Sequence, residues 1–402
     1  MARPYGTDMQ NDQNPLTSRA RRSKRSHVQP FYAMEVLSAA GELERAGRHI
    51  VHMEIGEPGA QTPLSIRQAA ARALESERMA YTPALGRPSL REKIARHYRD
   101  VYGVTVPASR IAVTTGSSGG FLLAFLALFD AGARVAVASP GYPAYRTILE
   151  SLGIEVVPIE TSAASRFVVD ADMIEAEHAR QPLDGVLLMS PSNPTGTMMT
   201  PDTLAGICRT CDRLGIAFVS DEIYHGLTYD QPARTATEWS DRAVVVNSFS
   251  KYFCMTGWRI GWLVLPEELV RPVELLAQSL AISVPTLSQI AAEAAFDARE
   301  ELEVLKAGYA RNRALLVEEL PRLGLGHFHP VDGAFYVYGD IGHLTNDSMD
   351  FCKRLLVEGG VATTPGVDFD REQGHRAFRI CFAGSEADVR EGLGRIKDWM
   401  RK

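Results

Sequence analysis

Short apolar runs set between longer mixed stretches dominate the middle of the chain. Those at 111–115, 134–138, 155–159, 185–189, 216–220, 243–247 and 260–265 are too short for ordinary helices and are flanked by Gly, Pro, Asn or Asp. They read as seven buried strands. Most are separated by stretches with apolar residues three and four apart, as at 119–129 and 201–214. Strands alternating with helices predict βαβ units, hence an α/β fold with a largely parallel sheet covered on both faces. No helical stretch separates the last two runs, so the final strand is expected to run antiparallel.

Upstream, 31–47 fit a helix and 50–55 a short strand that closes on the turn Gly56-Glu57-Pro58-Gly59. Thr62 and Pro63 read as the cap and first turn of a helix reaching about Met79. Leu90, Ile94, Tyr98 and Val101 mark one face of another that stops before Gly103. Downstream, 287–320 is helix-rich, and a second alternation succeeds it: a strand at 335–338, a helix at 348–358, a strand at 378–382 and a last helix from Ser385. These patterns suggest a large domain at 61–295, a smaller α/β domain built from 29–60 and 296–402, and a polar basic arm at 1–28.

At 402 residues the chain can bury a sizeable core without disulfides or metals. Its 45% hydrophobic and 23% charged residues exclude wholesale disorder. The longest strongly apolar stretch, 121–129, is half of what a membrane span needs, and no signal-peptide pattern opens the chain. Five scattered cysteines do not form a disulfide framework. A cytoplasmic protein with reduced thiols is expected. A net charge of −6 argues against bulk affinity for nucleic acid or membrane. The run RARRSKR at 19–25 is the local exception and reads as a solvated arm.

In open α/β sheets ligands gather beyond the carboxyl ends of the strands, so the residues just after each run matter. Gly116-Ser117-Ser118-Gly119-Gly120 comes after the first run and Pro140-Gly141-Tyr142-Pro143 after the second. The fourth leads into 190–196 (SPSNPTG), the fifth into Asp221-Glu222-Ile223-Tyr224, and the sixth into Ser248-Phe249-Ser250-Lys251, with Arg259 beyond. The glycine-serine cluster before an apolar helix suits either an ordinary turn or a phosphate cradle of free backbone N–H groups. Ser248, Ser250 and Arg259 could add donors to the same dianion. Lys251 is either a solvated surface lysine or, if desolvated by its aromatic neighbours, a nucleophilic amine. Asp221 is either a helix cap or a carboxylate awaiting a cationic partner such as a protonated pyridine nitrogen.

The segments SPSNPTG (190–196), SDEIY (220–224) and SFSKYFCMTGWRIGW (248–262), with YTPALG (81–86), TTGSSGG (114–120) and RICFA (379–383), resemble the class I/II aminotransferases. These are fold-type I enzymes that use pyridoxal 5′-phosphate, and the resemblance runs from about Phe31 to the C-terminus. It implies that Lys251 holds the cofactor as a Schiff base and Asp221 pairs with its pyridine nitrogen. Asn193 and Tyr224 would hydrogen-bond its O3′, Tyr142 would stack on its face, and Gly116, Ser117, Ser118, Ser248, Ser250 and Arg259 would hold its phosphate. Arg379 would clamp the substrate α-carboxylate near the backbone N–H of Gly56 and beside Asn193. Tyr81 would reach the phosphate of a partner subunit, implying a homodimer with shared active sites. The activity so implied is ping-pong transfer of an amino group from an L-α-amino acid to a 2-oxo acid, with Lys251 as proton carrier. A lyase or decarboxylase on the same scaffold, or a non-catalytic sensor, are the rival readings.

Several features invite other assignments. Cys208 and Cys211 form a CxxC, yet both fall on the apolar stripe of a helix, which reads as core. Cys254 reads as a packing thiol and His327 and His329 as a strand or loop face without a metal set. Asp370, in PGVDFD, stands where the family often has Gly, so that loop is expected to differ.

Overall fold

The computed structural model describes residues 23–402; Arg19, Arg21 and Arg22 of the basic run lie outside the described residues. Helix α1 (Tyr32–Arg45) and strand β1 (Val51–His52) lead into α2 (Leu64–Ser76) and α3 (Pro88–Tyr102). Alternation then begins: β2 (Ile111–Thr114), α4 (Gly116–Leu128), β3 (Arg134–Ser139), α5 (Pro143–Leu152), β4 (Glu155–Glu160), α6 (Ala171–Arg180), β5 (Gly185–Met189), α7 (Pro201–Leu214) and β6 (Ala217–Asp221). Strands β7 (Val244–Ser248) and β8 (Gly261–Val264) come after it with no α-helix between them.

These seven strands, β2 to β8, form one sheet in the order β2-β8-β7-β6-β5-β3-β4. Strand β8 runs antiparallel to both β2 and β7, and the other pairings are parallel, as the pattern predicted. Apolar side chains cover both faces. Val245, Trp262 and Val264 pack on one, Val244, Val246 and Leu263 on the other, so neighbouring residues of one strand serve different cores. Each fully buried side chain of this kind contributes roughly 1.5–3 kcal/mol.

Helices α8 (Glu267–Leu280), α9 (Thr286–Ala295) and the long α10 (Arg299–Arg322) come next. Leu302 of α10 packs in the core of the large sheet, while Tyr309, Leu316 and Leu320 belong to a second core. That second core draws on strands β9 (Tyr336–Asp340), β10 (Val361–Ala362) and β12 (Ala377–Cys381), together with α11 (Ser348–Arg354) and α12 (Glu386–Met400), and β11 (Thr364–Pro365) lies at the sheet's edge. Strand β12 pairs antiparallel with β9 and β11, and β1 pairs parallel with β10. Ser385 caps α12 in a capping box with Asp388, the start that the sequence marks.

Some boundaries differ from the sequence pattern, each for a physical reason. Thr62 is not a helix cap: its hydroxyl donates to the Cys254 carbonyl at 2.7 Å and accepts from Trp258 Nε1 at 3.0 Å. The first N–H groups of α2 are satisfied instead by Glu301, with Leu64 N at 2.8 Å from its Oε2. Val101 points outward with 54% exposure, whereas Leu90, Ile94 and Tyr98 are buried. Residues 50–55 pair over only two positions, because the chain beyond His52 turns towards Arg379, which the Glu54 carbonyl holds. Helix α11 ends early, and 355–359 continue as a π turn that closes on Gly360 at φ +69°. Helix α4 begins at Gly116 rather than Gly119, which draws Ser117 and Ser118 into its first turn.

The loop around Asp370 is a brace. Asp370 Oδ1 accepts the N–H groups of Glu372 and Gln373 at 2.8 and 2.9 Å. Asp368, two residues before it, accepts those of Tyr32 and Ala33 at 3.0 and 3.2 Å and thereby caps α1 from across the fold. The Phe369 carbonyl accepts from Gly141 N at 3.0 Å, tying the loop to the segment that carries Tyr142.

Candidate active site

Because β8 is antiparallel to its neighbours, its first residue meets the ends of both: Gly261 pairs with Thr114 of β2 and with Ser248 of β7. The start of α4 and the loop after β7 therefore share one edge of the sheet. A Cβ on Gly261 would lie 2.7 Å from the Asn247 carbonyl and 3.1 Å from Ser117 N, so glycine is required for that approach. Gly116 has φ +70°, and a Cβ there would lie 2.4 Å from Nη2 of Arg259. The missing side chain is what lets the guanidinium sit at the amino end of α4. Arg259 itself adopts φ +50°, an uncommon conformation for a non-glycine residue. Its Nη1 donates to the Thr256 carbonyl at 2.9 Å. Ser248 Oγ donates to Ser250 Oγ at 2.8 Å and holds that hydroxyl on the same edge. Free N–H groups of a helix start, hydroxyls and an exposed guanidinium form a cradle for a phosphate dianion.

Asp221 ends β6, deep in this edge, and is buried. Its Oδ2 accepts from the Tyr145 hydroxyl and its Oδ1 from Ile223 N at 3.0 Å. Both partners are neutral. Burial raises its pKa to about 7, with those hydrogen bonds pulling the other way. A carboxylate in this position is stabilised by a cation that no neighbouring side chain hydrogen-bonds to it.

The Lys251 ammonium donates to the Gly56 carbonyl at 2.5 Å. Desolvation lowers its pKa to about 8, with Arg379 and Arg259 pushing the same way and Cys381 and Glu57 opposing. A larger fraction of neutral amine at physiological pH is the consequence. A Cβ on Gly56 would lie 1.8 Å from the Tyr336 hydroxyl, so the strand carrying Tyr336 can close on this turn only where glycine stands. The Tyr336 hydroxyl is hydrogen-bonded to that of Tyr224 at 2.6 Å.

Arg379, on β12, is only 2% exposed. Its Nη1 donates to Asn193 Oδ1 at 2.9 Å, and its Nη2 to the Glu54 carbonyl and to Thr364 Oγ1. The guanidinium carbon lies 4.5 Å from the centre of the Tyr336 ring and 4.7 Å from that of Phe369. Its Nε has no partner. Tyr142 lies alongside. Burial raises its hydroxyl to about 12, with the charge of Asp221 acting the same way and those of Arg379 and Arg259 opposing. Phe31 meets that ring edge-on at 5.9 Å.

The structure thus brings together Gly56, Gly116, Ser117, Ser118, Tyr142, Asn193, Asp221, Tyr224, Ser248, Ser250, Lys251, Arg259 and Arg379. Tyr81 is not among them. It is 80% exposed, in a surface recess with Leu74, Met79, Val284 and Leu287. Glu54, Tyr145, Tyr336, Thr364 and Phe369 belong to the crevice and were not singled out by the sequence. Tyr145 carries the one available signal, lying three residues after Tyr142 at the start of a helix, a spacing that puts both on one face. The cysteines are packing residues: Cys208, Cys211 and Cys254 are buried and free, with thiols raised to about 12, 12 and 11 by burial. The rings of His327 and His329 contact those of His343 and Phe167.

Whole-chain comparisons agree with this geometry. A solved aminotransferase from Mycobacterium tuberculosis superposes with a TM-score of 0.92 at 48% identity, over 95% of this chain and 99% of that one. Aspartate aminotransferase from Thermus thermophilus with maleate gives 0.89 at 32% identity, over 94% and 99%. Fold and crevice define a fold-type I aminotransferase. The chain belongs to the aminotransferase class I and II family, whose sequence pattern matches residues 48–396. Among curated relatives, the valine–pyruvate aminotransferase of M. tuberculosis is 49% identical over 380 residues, 94% of this chain and 97% of that protein. The aspartate/prephenate aminotransferase of T. thermophilus is 34% identical over 378 residues, 92% and 96% respectively. Members of the family use pyridoxal phosphate to move an amino group between amino and 2-oxo acids, and this protein is a transferase of that kind.

The residues present fit the cofactor on two observations. A cradle that a single Cβ at Gly116 would fill suits its phosphate, and a buried carboxylate with only neutral partners suits its ring nitrogen.

Proposed function

We propose that Lys251, Asp221 and Arg379 carry the reaction. One observation supports this most: three ionisable groups lie in one crevice, and each hydrogen-bonds only neutral groups. Buried charges are ordinarily paired. Here the missing partners match the reactants: a ring-nitrogen cation for Asp221, a carboxylate for Arg379, and a carbonyl carbon for the Lys251 amine. When bound, pyridoxal phosphate supplies an electron sink for the bond that breaks at the substrate's α-carbon.

Gly116, Ser117, Ser118, Ser248, Ser250 and Arg259 would hold the phosphate, Tyr142 would pack on the ring, and Asn193 and Tyr224 would hydrogen-bond its phenolic oxygen. Arg379 holds the α-carboxylate through paired N–H donors and fixes the orientation of the α-C–H bond. Lys251 Nζ, poised by desolvation near physiological pH, takes the α-proton as general base and returns it as general acid. Asp221 holds a proton on the ring nitrogen, and Tyr145 keeps that carboxylate aimed. Phe31 and Tyr142 narrow the approach and exclude water from the reacting bond.

For substrates we propose a small aliphatic L-amino acid as donor, valine among them, and pyruvate as acceptor. The valine–pyruvate activity named for the relative with 49% identity supports this, as does the aromatic wall of Phe31, Tyr142, Tyr336 and Phe369 around Arg379. The test presents holoenzyme with valine, alanine, aspartate and glutamate, and with isobutylamine, the amine matching valine. Consumption of the amino acids is followed by mass spectrometry with and without pyruvate. Conversion of valine to its 2-oxo acid, well above that of aspartate and absent for the amine, is expected. Preference for aspartate would overturn the substrate assignment, and release of ammonia or carbon dioxide would overturn transfer itself.

We further propose a cytoplasmic homodimer with shared sites, and a division into a large domain at 61–295 and a small one from 29–60 and 296–402. Free, buried thiols favour a reducing compartment. Separate cores beneath the seven-stranded sheet and beneath the smaller strands of the C-terminal part favour the division. For the dimer, the exposed Leu74, Met79, Tyr81, Leu280 and Ile282 favour a covered surface. If Tyr81 completes the partner's phosphate cradle, mixing inactive Lys251→Ala and weakened Tyr81→Phe protomers places both lesions in one site and none in the other. Activity above that of either parent homodimer is expected; no gain would count against sharing.

A further inference from the structure

A second cavity among the described residues lies apart from the crevice. About 370 Å³ in volume, it lies between α3, the first turns of α10 and the loop after Lys251. This volume is within the range of small-molecule sites. His97, Tyr102, Tyr252, Phe253, Trp262 and Phe296 line it, an almost continuous aromatic wall. Burial lowers the His97 imidazole to about 4, so that ring enters the wall neutral.

Most of its polar groups are paired within the protein, as Tyr102 is with His225 and Tyr252 with Glu303, but three donor groups are not. Asn247 lines the cavity while only 4% exposed; its Oδ1 accepts from Ser248 N at 2.7 Å, and its amide nitrogen has no hydrogen-bond partner. That nitrogen opens on the cavity, where an acceptor can meet it. At the mouth, Lys93 pairs with Asp297 at 2.8 Å and Lys306 with Glu303 at 4.0 Å. Arg96 and Arg299 line the cavity with no hydrogen bond or ion pair, Asp100 is the one unpaired carboxylate among the lining residues, and the charged lining thus sums to one net positive charge.

We propose that this cavity binds an aromatic carboxylate. The carboxylate would sit between Arg96 and Arg299, the ring against Phe253, Phe296 and Trp262, and a carbonyl or hydroxyl acceptor, where the ligand has one, would meet the Asn247 amide. A ligand there bridges α3 to α10, the helix that runs from one core into the other. The site is separate from Lys251, Asp221 and Arg379 and does not depend on the roles proposed for them.

The test titrates holoenzyme with phenylacetate, which has neither the amino nor the oxo group needed for turnover, by isothermal calorimetry. Phenylacetate is expected to fill one site per protomer that survives Arg379→Ala. The double variant Arg96→Glu/Arg299→Glu, altered only at the cavity's rim, should weaken that site at least tenfold. 2-Phenylethylamine, with the same ring and the opposite charge, should not bind there. In wild-type crystals soaked with phenylacetate, the ring should appear beside Phe253 and Phe296. Binding unchanged by the double charge reversal, equal binding of the amine, or a cavity holding only water after soaking would overturn the proposal.

Discussion

Replacing Lys251 by alanine is expected to lower turnover by at least about 10⁴-fold, the upper end of what a positioned proton carrier contributes. The amine is irreplaceable in place. It is held against the Gly56 carbonyl at 2.5 Å by a turn that closes only because residue 56 lacks a side chain. Of the seven lysines in the chain, the other six lie outside the crevice. Lys93 and Lys306, for example, line the mouth of the aromatic cavity. The variant should still bind the cofactor, because phosphate cradle and ring wall are untouched, and added methylamine should restore part of the activity. Turnover within tenfold of wild type would remove Lys251 from the reaction.

Asp221→Asn is the second large effect. The change keeps shape and the hydrogen bond from Ile223 N, but it removes the charge. In the protein without ligands, burial raises the Asp221 pKa to about 7; a cation placed against it would restore the carboxylate and be held in return. Without that charge residue 221 would no longer hold a proton on the cofactor's ring nitrogen, which would weaken the electron sink the cofactor would supply for the α-C–H bond. Proton removal should slow by about 10³-fold, or ~4 kcal/mol, with cofactor affinity falling far less. Pre-steady-state absorbance with valine separates the two. An unchanged rate constant would contradict the assignment of Asp221.

Much of this site is legible in the sequence because it hangs on strand ends. Asp221 and Ser248 end β6 and β7, so an apolar run with a polar residue immediately after it locates both. Contacts formed across the fold leave no such trace. Glu54 comes two residues after β1, where a period of two would turn it outward with His52. It is instead fully buried: its carbonyl holds Arg379, while His52 Nδ1 lies 2.8 Å from its Oε1 and is itself raised to about 9 by that carboxylate. Tyr336 reads as one apolar strand residue among several, and only the approach of Gly56 and Tyr224 reveals it. The same holds for caps. Glu301 caps α2 and Asp368 caps α1, from distances along the chain that no local motif spans. Tyr81 shows the converse, since its proposed role lies in a second protomer and its own chain leaves it in solvent.

Every role proposed for the crevice depends on Lys251 being the residue to which the cofactor attaches, opposite Asp221 and beside Arg379. Holoenzyme reduced with borohydride, digested and mapped by mass spectrometry decides this, because reduction fixes the cofactor to whichever lysine holds it. The expected result is the reduced cofactor's mass on the peptide containing Lys251 and on none of the six others. Label on another lysine, or cofactor washed away with all seven unmodified, would exclude Lys251 from that role.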